Sequence, residues 1–377
     1  MDGPDGAGLF DFHELLLQIY VDDPLWVVRG TREKRRRCVT VLLLFWQAFG
    51  FPFSWPKGQK GPEVQWIGAA LQIINSGPKG RGVLVSVPED KTTDLGTATA
   101  EFRRRNVAGR RALRKYAGQM SFVAGLVPHL RPFLSGIWAT LKQDASSAGP
   151  VAPGRMRAGA EHVVWTRQIE HSLAWIAAFL AGTAGAPLVR EMYLRDTKYP
   201  SPFSVAMDAS PWGIGGVILE GTRPIARFAG AVQQDDVDRF GVVVGDHRFQ
   251  GIMEGIGLLV AVRLSARTCS WGSGAVASLT VKSDSKAALG SALNLASPQP
   301  AMNAIGRELA YDQATGDYQI RLYEHVWGVA NKLPDFLSRL AAPGGEGRPL
   351  PTLLSGLPEL EVPKRDDAWW RTWCHPS

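Results

Sequence analysis

The carboxyl-terminal half of the sequence predicts an α/β fold in which a mixed sheet is flanked by helices. Three strand-like runs come first, and the earliest, at 203–208, alternates apolar and polar residues. Strands and helices then alternate, a pattern typical of a mixed sheet with helices on its faces. The predicted strands are 203–208, 212–220, 223–230, 279–284 and 318–326, and the predicted helices are 251–266, 285–295, about 302–314 and 334–340.

The amino-terminal half predicts a mixed segment followed by a helical one. A strand-like run at 15–21 precedes a basic run and an apolar-sided helix, and one short strand is expected at 64–71. The stretch 76–99 is rich in Gly, Pro and Thr and predicts strands or loops. From about 101 to 182 the periodicity is helical, and its last part, 161–181, predicts an amphipathic helix.

The composition is that of a globular protein with an excess of positive charge. The apolar fraction is 45%, the net charge is +7 and the pI is near 9.4, which favours a polyanionic partner. Cys38, Cys269 and Cys374 lie far apart, so we expect reduced thiols in an intracellular protein of the cytoplasm or nucleus. The start lacks the pattern of a secretory signal, and the apolar stretch 39–53 is too short to span a bilayer. We therefore expect no membrane partner.

Four acidic residues stand where a globular protein rarely leaves a carboxylate unpaired. Asp208 and Asp284 each close a strand, Glu254 is the only acid in an apolar helix, and Asp335 lies in the first turn of the last helix. A buried carboxylate is costly without a compensating partner, and no Lys or Arg stands beside Asp208 or Glu254. If these positions converge, divalent cations would remove the repulsion, and oxygen ligands suit magnesium or manganese.

Each of these residues also has an ordinary structural explanation. An Asp at a strand end usually forms a turn or caps a helix, and the helix dipole favours an acid in a first turn. His325 alone fits an exposed histidine at a strand end. The case for a metal site therefore depends on the complete set, its order and the elements that carry it.

The order strand-Asp, helix-Glu, strand-Asp-helix resembles the ribonuclease H domain of reverse transcriptases. MDASPWGIGGVIL, at 207–219, resembles the first two strands of that domain, and SDSKAAL, at 283–289, resembles its third-acid segment. HVWGVANKLPDFLSR, at 325–339, is similar to the segment that ends the domain in retrotransposon polyproteins. In it His325 precedes Asn331 by six positions and Asp335 by ten, as in the family.

The sequence departs from the family pattern at a few positions. Trp327 stands where a proline is common, and Pro334 stands where an alanine is common. The region 212–254 is longer than in the compact cellular enzymes, which makes Glu254 the least certain of the four acids. Its rival, Glu220, lies at a strand end and fits poorly.

The resemblance implies an endonuclease that cuts the RNA strand of an RNA–DNA hybrid. Asp208, Glu254, Asp284 and Asp335 would hold two Mg²⁺ or Mn²⁺ ions about 4 Å apart, one activating a water and the other stabilising the leaving 3′ oxygen. His325 would assist proton transfer or product release, and Asn331 would contact substrate or brace its loop. The site would choose RNA by reading 2′-hydroxyls.

A second resemblance connects the amino-terminal half to the polymerase part of reverse transcriptases. Tyr20-Val21-Asp22-Asp23 resembles the polymerase motif, although four residues alone are a weak match. FGFPFSWPKG and VQWIGAAL, with Lys57 and Trp66, take the places of the following turn and the primer-grip strand. The basic stretch 101–116 and the helical stretch after it resemble the thumb and connection that grip the hybrid. The residues expected to bind substrate there are Arg110, Arg111, Arg114 and Lys115.

These resemblances imply four segments and an incomplete polymerase site. The family needs another metal-binding Asp from a preceding strand, and only 21 residues precede Asp22. Polymerase activity is therefore not expected from this chain alone. The segments are a partial palm at 1–75, a mainly helical and basic thumb/connection at 76–199, a ribonuclease H-like domain at 200–341 and an irregular tail at 342–377.

Three functions remain open at this point. The chain is a hybrid-cutting endonuclease in a truncated retroelement reverse transcriptase, a catalytically dead remnant that binds nucleic acid through its basic helices, or another enzyme of this fold, such as an integrase or exonuclease. The intact acid set favours the first over the second, and the His-Asn-Asp ending favours it over the third. The expected partners are an RNA–DNA hybrid and other nucleic acids, with the missing polymerase portion or a second copy of the chain as further candidates.

Overall fold

The computed structural model describes residues 15–20, 23–74, 82–142, 163–193, 202–269 and 277–376. By their contacts these residues form two compact units. The first unit spans 1–88 with 190–194, and the second spans 89–189 with 195–377. The four predicted segments stay a prediction about the organisation of the chain.

The first unit contains two small sheets and one long helix. β1 (Leu15–Tyr20) and β2 (Asp23–Val28) form an antiparallel hairpin, followed by α1 (Arg32–Ala48). The strands β3 (Glu63–Trp66), β4 (Ala69–Ile74), β5 (Gly82–Ser86) and β8 (Val189–Tyr193) form a second sheet in that order.

The single strand predicted at 64–71 is wrong, because the chain reverses within it. Ile67 and Gly68 have φ values of 43° and 80°, so two consecutive residues take the left-handed conformation that closes a two-residue hairpin. β3 and β4 therefore pair with each other across this turn, with Trp66 opposite Ala69.

The second unit begins with four helices that pack around a common apolar core. They are α2 (Glu89–Arg104), α3 (Arg110–Leu126), α4 (Arg131–Lys142) and α5 (Glu170–Leu180). Between them β6 (Val107–Gly109) pairs antiparallel with β7 (Val163–Trp165). The core side chains include Leu113, Met120, Phe133, Ile137, Leu173 and Ile176, each buried.

Two sequence predictions in this region need correction. The Thr-rich part of 76–99 is helical from Glu89, because Glu89 and Asp90 in the first turn favour the helix start. Within the helix the Thr93 hydroxyl donates to the Glu89 carbonyl at 2.9 Å. The helix predicted at 161–181 begins only at Glu170, since 163–165 pairs with β6 and a short 3₁₀ turn follows.

A five-stranded mixed sheet forms the centre of the second unit. Its order is β11-β10-β9-β12-β13, with β9, β12 and β13 parallel and β10 antiparallel to both of its neighbours. The sequence predicts a mixed sheet flanked by helices, and this prediction is confirmed. The strands are β9 (Phe203–Ser210), β10 (Gly213–Glu220), β11 (Arg223–Ala231), β12 (Ala277–Ser283) and β13 (Tyr318–His325).

Helices cover both faces of this sheet. α7 (Gln250–Thr268) lies across β9 on one face, where a Cβ at Gly257 would come within 2.6 Å of the Met207 side chain. α10 (Lys332–Ser338) lies on the other face against Gly215, whose missing Cβ leaves room for the backbone of Ser338. The remaining helices are α6 (Gln234–Phe240), α8 (Lys286–Asn294) and α9 (Pro300–Thr315).

One described helix, His247–Thr268, is long and apolar enough to cross a membrane by length and composition, with a mean hydropathy of 1.3 over its most apolar 18 residues. It contains all of α7, and 61% of those 18 residues are buried inside the protein. Its apolar character is accounted for by the core, because Ile256, Leu259 and Val260 are fully buried against the sheet and its neighbours.

The segment predicted as an irregular tail is irregular, yet it packs on the second unit. It joins the free edge of β11, where the Leu360 amide donates to the Arg227 carbonyl at 2.8 Å. It then buries Arg365 in an ion pair with Asp236 and places Trp370 in the sheet core. Composition could not reveal this, because the partners of these residues lie more than 100 positions away.

Candidate active site

The register of the sheet brings two of the four predicted acids to the same level. β9 and β12 run parallel, with Lys282 opposite Ala206 as their last pair. Continuing by two residues sets Asp284 level with Asp208. Asp208 does not close its strand as predicted, since β9 continues to Ser210, but Asp284 directly follows β12.

Asp208 is buried on the face of the sheet that α10 covers. Only 8% of the residue is exposed, and the Ser338 hydroxyl donates a hydrogen bond to its Oδ2 at 2.8 Å. Burial raises the pKa of Asp208 to about 7, and the carboxylates of Asp284 and Asp335 add to the rise against the opposing effect of the Ser338 hydrogen bond. Asp208, Asp284 and Asp335 are therefore electrostatic neighbours.

Asp335 reaches the site from α10, one turn before Ser338. Its carboxylate is about half exposed and forms an ion pair with Arg339, with 2.7 Å between Oδ1 and Nε. The separation of four positions is the one that joins side chains on a helix surface. Asp335 is thus the predicted acid whose charge is partly balanced by the protein.

Glu254 joins the group from the opposite face of the sheet. It lies in the second turn of α7, where it accepts hydrogen bonds from the Ser285 hydroxyl and, at 3.4 Å, from the Gln250 amide. Burial raises the pKa of Glu254, and Asp284 raises it further. Glu254 therefore lies near Asp284, beyond the end of β12, and its electrostatic interaction is with Asp284 rather than with Asp208.

The rival acid Glu220 is far from this group along the sheet. It ends β10 opposite Phe203, the first residue of β9, whereas Asp208 is near the other end of that strand. Glu220 also forms an ion pair with Arg223 at 2.6 Å. Its position and its partner both favour Glu254 as the helix-borne acid of the site.

His325 and Asn331 begin and end a loop beside the acids. His325 ends β13 opposite Ser283, the residue before Asp284. Asn331 is buried, and its side-chain amide donates to the Met207 carbonyl at 3.1 Å. Of the two roles expected for Asn331, the hydrogen bond fits bracing of the loop, and the burial does not fit substrate contact.

The predicted nucleic-acid contacts divide into exposed and anchored residues. Arg111, Arg114 and Lys115 are exposed on the outer side of α3. Arg110 is half-buried and donates to the Leu141 carbonyl at 3.1 Å, and its expected role in binding substrate stays a prediction. Its position at the start of α3 directs it toward the end of α4.

The polymerase-like residues lie in the first unit. Tyr20 is the last residue of β1 and pairs with Asp23, the exposed first residue of β2, while Asp22 lies outside the described residues. The Trp66 indole donates to the Asp23 carbonyl at 3.0 Å, which ties the second sheet to the first hairpin. Trp66 is partly buried and its expected role in binding substrate stays a prediction, and Lys57 ends an exposed 3₁₀ turn.

Four residues of the site were not singled out from the sequence. Ser285 is the side-chain cap of α8 and also bonds Glu254, and Gln250 connects Glu254 to the Ala209 carbonyl at 2.5 Å. Ser338 and Arg339 hold Asp208 and Asp335 respectively. The spacing of Asp335 and Arg339 was a usable signal, whereas the Ser338 contact spans 130 positions and had none.

The donor set fits hard divalent cations in its chemistry. Among the described residues, Asp208, Glu254 and Asp284 form no ion pair with Lys or Arg, and Asp284 adds to the raised pKa of both Asp208 and Glu254. No three described Asp, Glu, His or Cys side chains stand close enough to hold one metal together. Magnesium does not require three, since it commonly takes one or two carboxylates and completes its shell with water and substrate oxygens.

None of the known family models and none of the curated proteins matches the sequence. Among solved structures, the chain is similar to a foamy viral protease-reverse transcriptase in complex with dsDNA, at 17% identity and a TM-score of 0.35, covering 83% of this chain and 55% of that one. A second foamy viral protease-reverse transcriptase structure, dRH with ds DNA, gives 17% identity and a TM-score of 0.36, covering 82% and 46%. This chain thus spans about half the length of either neighbour, and at these TM-scores the assignment of the site rests on its own geometry.

Proposed function

We propose that this chain is a ribonuclease H-type endonuclease that hydrolyses the RNA strand of RNA–DNA hybrids with two divalent cations, Mg²⁺ or Mn²⁺. The observation that supports it is that acids from four separate elements lie near one end of β9 and β12, where, in addition to burial, Asp284 and Asp335 raise the pKa of Asp208 and Asp284 raises the pKa of Glu254. Asp208, Glu254 and Asp284 have no cationic partner among the described residues. A cation bound between them would offset the repulsion between carboxylates that adds to the raised pKa of Asp208 and Glu254.

The acidic side chains bind the cations, and neighbouring hydroxyl groups hold those side chains in place. Asp208 and Asp284 lie level on adjacent strands and provide the central ligands, with Glu254 and Asp335 on either side. Bound divalent cations supply activation of a water and stabilisation of the leaving 3′ oxygen. Ser338 and Ser285 fix the carboxylates of Asp208 and Glu254 through their hydroxyl groups.

The loop after β13 provides a group for proton transfer at the edge of this site. His325 is only partly buried, so its imidazole is open to solvent and to a substrate oxygen. Val326 donates its amide to the Ser283 carbonyl at 3.0 Å, and Asn331 holds the far end of the loop on β9. The loop therefore keeps His325 next to Asp284 while leaving its ring accessible.

The test is cleavage of a defined hybrid by the purified full chain. Hybrids labelled on the RNA or the DNA strand, double-stranded RNA and double-stranded DNA are incubated with magnesium, manganese or EDTA. We expect metal-dependent internal cuts in the RNA strand of the hybrid alone. Asp284→Asn should lower the rate by about 1000-fold or more, since it removes a central charge at the site where the transition state needs it.

The matched control is Asp90→Asn, the same change at an exposed acid in the first turn of α2. It should cleave at the wild-type rate, and both variants should melt near the wild-type temperature. Undiminished cleavage by Asp284→Asn would exclude this active site. Cleavage of the DNA strand or of double-stranded DNA would move the chain to another nuclease class of the same fold.

A second candidate function, binding without cleavage, is supported by the outer side of α3. Arg111, Arg114 and Lys115 are exposed there while Leu113 and Tyr116 face the core. Such a surface suits phosphates and gives binding that weakens steeply with salt. Binding that is retained in a chain without metal-dependent cleavage would favour this candidate, and replacing the three cations by Gln should reduce its salt dependence.

A further inference from the structure

An exposed tryptophan stands beside the acids on the loop that joins β13 to α10. Trp327 is 72% exposed, and Val329, two residues on, is 79% exposed. Exposing an indole to water forgoes a burial worth about 2 to 3 kcal/mol for a large apolar side chain. An aromatic ring left open next to a reactive site is therefore a candidate for substrate contact.

The backbone of this loop is fixed on both sides, so Trp327 has a defined place. Val326 is hydrogen-bonded to Ser283 of β12, and the amides of Ala330 and Asn331 donate to the Trp327 carbonyl at 2.7 and 3.2 Å. The Asn331 side chain then bonds to Met207 of β9. The loop is thus anchored to the two strands that carry Asp208 and Asp284.

Gly328 sets the distance between the tryptophan and the acids. A Cβ at Gly328 would lie 3.2 Å from Oδ2 of Asp284, so the loop backbone is in contact distance of that carboxylate. Consecutive Cα atoms are about 3.8 Å apart, which places Trp327 within roughly one or two nucleotides of a phosphate held at Asp284. A strand lying in the site would therefore pass the indole.

The charges around the ring suit a nucleic acid strand. Lys286 at the start of α8 holds its ammonium 5.9 Å from the centre of the Trp327 ring, and His325 meets the ring edge-on at 5.5 Å between centroids. Lys332 is exposed at the start of α10. An aromatic face bordered by cations can stack on a base or sugar and hold the adjoining phosphate.

We propose that Trp327 and Lys286 form a nucleotide platform that positions the strand to be cut at the acid cluster. The occupant is a nucleotide of the cleaved strand, next to the phosphate held by the acids. The inference rests on the proposed function for the identity of that strand. It assigns Trp327 a positioning role, since the indole is placed to hold substrate rather than to exchange a proton.

The first measurement is binding, in a background that cannot cleave. Full chain carrying Asp284→Asn is titrated with a hybrid in which 2-aminopurine replaces single bases along the RNA strand. We expect quenching of one or two neighbouring 2-aminopurines by stacking. Adding Trp327→Ala should abolish that quenching and weaken the Kd about tenfold, the typical effect of losing one base–aromatic stack.

The second measurement separates positioning from folding. In the cleaving enzyme, Trp327→Ala should raise KM about tenfold and change kcat by less than about threefold, because the ring contributes binding. Trp327→Phe should restore most of the loss, and Trp327→Leu should not, since Leu keeps apolar bulk without a stacking face. Lys286→Gln should raise KM several-fold. Trp55→Ala is the matched control, an equally open indole in the first unit at 64% exposure, and should leave KM unchanged.

The outcomes distinguish this inference from the proposed function. Trp327-dependent binding and quenching in a chain that never cleaves would overturn the nuclease assignment and support the platform. Cleavage with unchanged Kd, KM and quenching in Trp327→Ala would overturn the platform and leave the nuclease assignment standing.

Discussion

Two groups of acidic side chains in the second unit differ in whether positively charged side chains neutralise them. Glu308 and Asp312, on α9, are 1% and 0% exposed. Arg263 contacts both carboxylates at 2.7 Å, and Arg371 reaches Asp312 at 3.0 Å. The amide and hydroxyl of Thr372 also bond to Glu308 at 2.7 and 2.5 Å. Every oxygen of this pair has a donor from the protein itself.

Three of the four acids of the candidate active site have no ion pair among the described residues, and the fourth, Asp335, pairs with Arg339 at the surface. Asp208 is nearly as buried, yet it receives one hydroxyl from Ser338 and lies beside two further carboxylates. Glu254 receives one hydroxyl and one distant amide. The acids of α9 thus pair with arginines. Asp208 and Asp284, at the strand ends, form no ion pair with Lys or Arg among the described residues. The difference supports our proposal that the acids of the candidate active site bind a cation from solution, whereas the acids of α9 are neutralised within the protein.

The largest expected effect on stability comes from breaking the compensated pair. Asp312→Asn leaves Arg263 and Arg371 without a full counter-charge in a buried position, and we expect a loss of about 3 to 5 kcal/mol in the free energy of unfolding. Chemical denaturation measures it. Asp317→Asn is the control, since Asp317 is 46% exposed and pairs with the same Arg371, and it should cost less than about 1 kcal/mol. Equal losses would contradict the distinction between buried and surface pairing.

Asp208→Asn should increase the free energy of unfolding at high pH without metal, whereas Asp312→Asn should decrease it. Because the pKa of Asp208 is raised from 3.8 to about 7, the native state holds its proton more tightly than the unfolded chain. Stability contributed by the protonated group is present below pH 4 and is lost as pH rises through about 7. In EDTA at pH 8 the variant should therefore be more stable than the wild type, on the order of 1 kcal/mol.

With magnesium at pH 8, the wild type should instead be more stable than Asp208→Asn. Binding to the native wild type adds stability, about 2.7 kcal/mol at 100 times the Kd, and the variant should gain less because it has lost a ligand charge. Melting curves at pH 5 and pH 8, with magnesium or EDTA, measure both effects. A variant less stable than the wild type in EDTA at pH 8 would show that ionised Asp208 is a structural group.

The smallest expected effect is at the ion pair that borders the site. Arg339→Gln removes the cation beside Asp335, but both side chains are nearly half exposed, so stability should fall by no more than about 1 kcal/mol. Asp335 then becomes more available, and the magnesium concentration for half-maximal cleavage should fall about twofold. Metal titration of the cleavage rate measures it. A hundredfold loss of rate would instead make Arg339 a phosphate contact.

Sequence patterning predicted most elements of the five-stranded sheet because periodicity reports which face of an element is buried. The runs at 203–208 and 318–326 became β9 and β13 nearly as drawn. Sequence patterning failed where local backbone geometry or residues distant in the chain determine the structure. The reversal at Ile67 and Gly68 inside an apolar run was missed, and so was the helix in a Thr-rich stretch from Glu89.

The sequence by itself determined which residues are candidates for an active site, since the types and order of Asp208, Glu254, Asp284 and Asp335 are readable along the chain. Only the tertiary structure decided which acids are balanced. Arg263 lies 49 positions from Asp312, and Ser338 lies 130 positions from Asp208. Electrostatic compensation acts over a few ångströms of space, and spacing along the chain does not encode contacts of that kind. Which acids have a cationic partner is therefore seen only when the chain is folded.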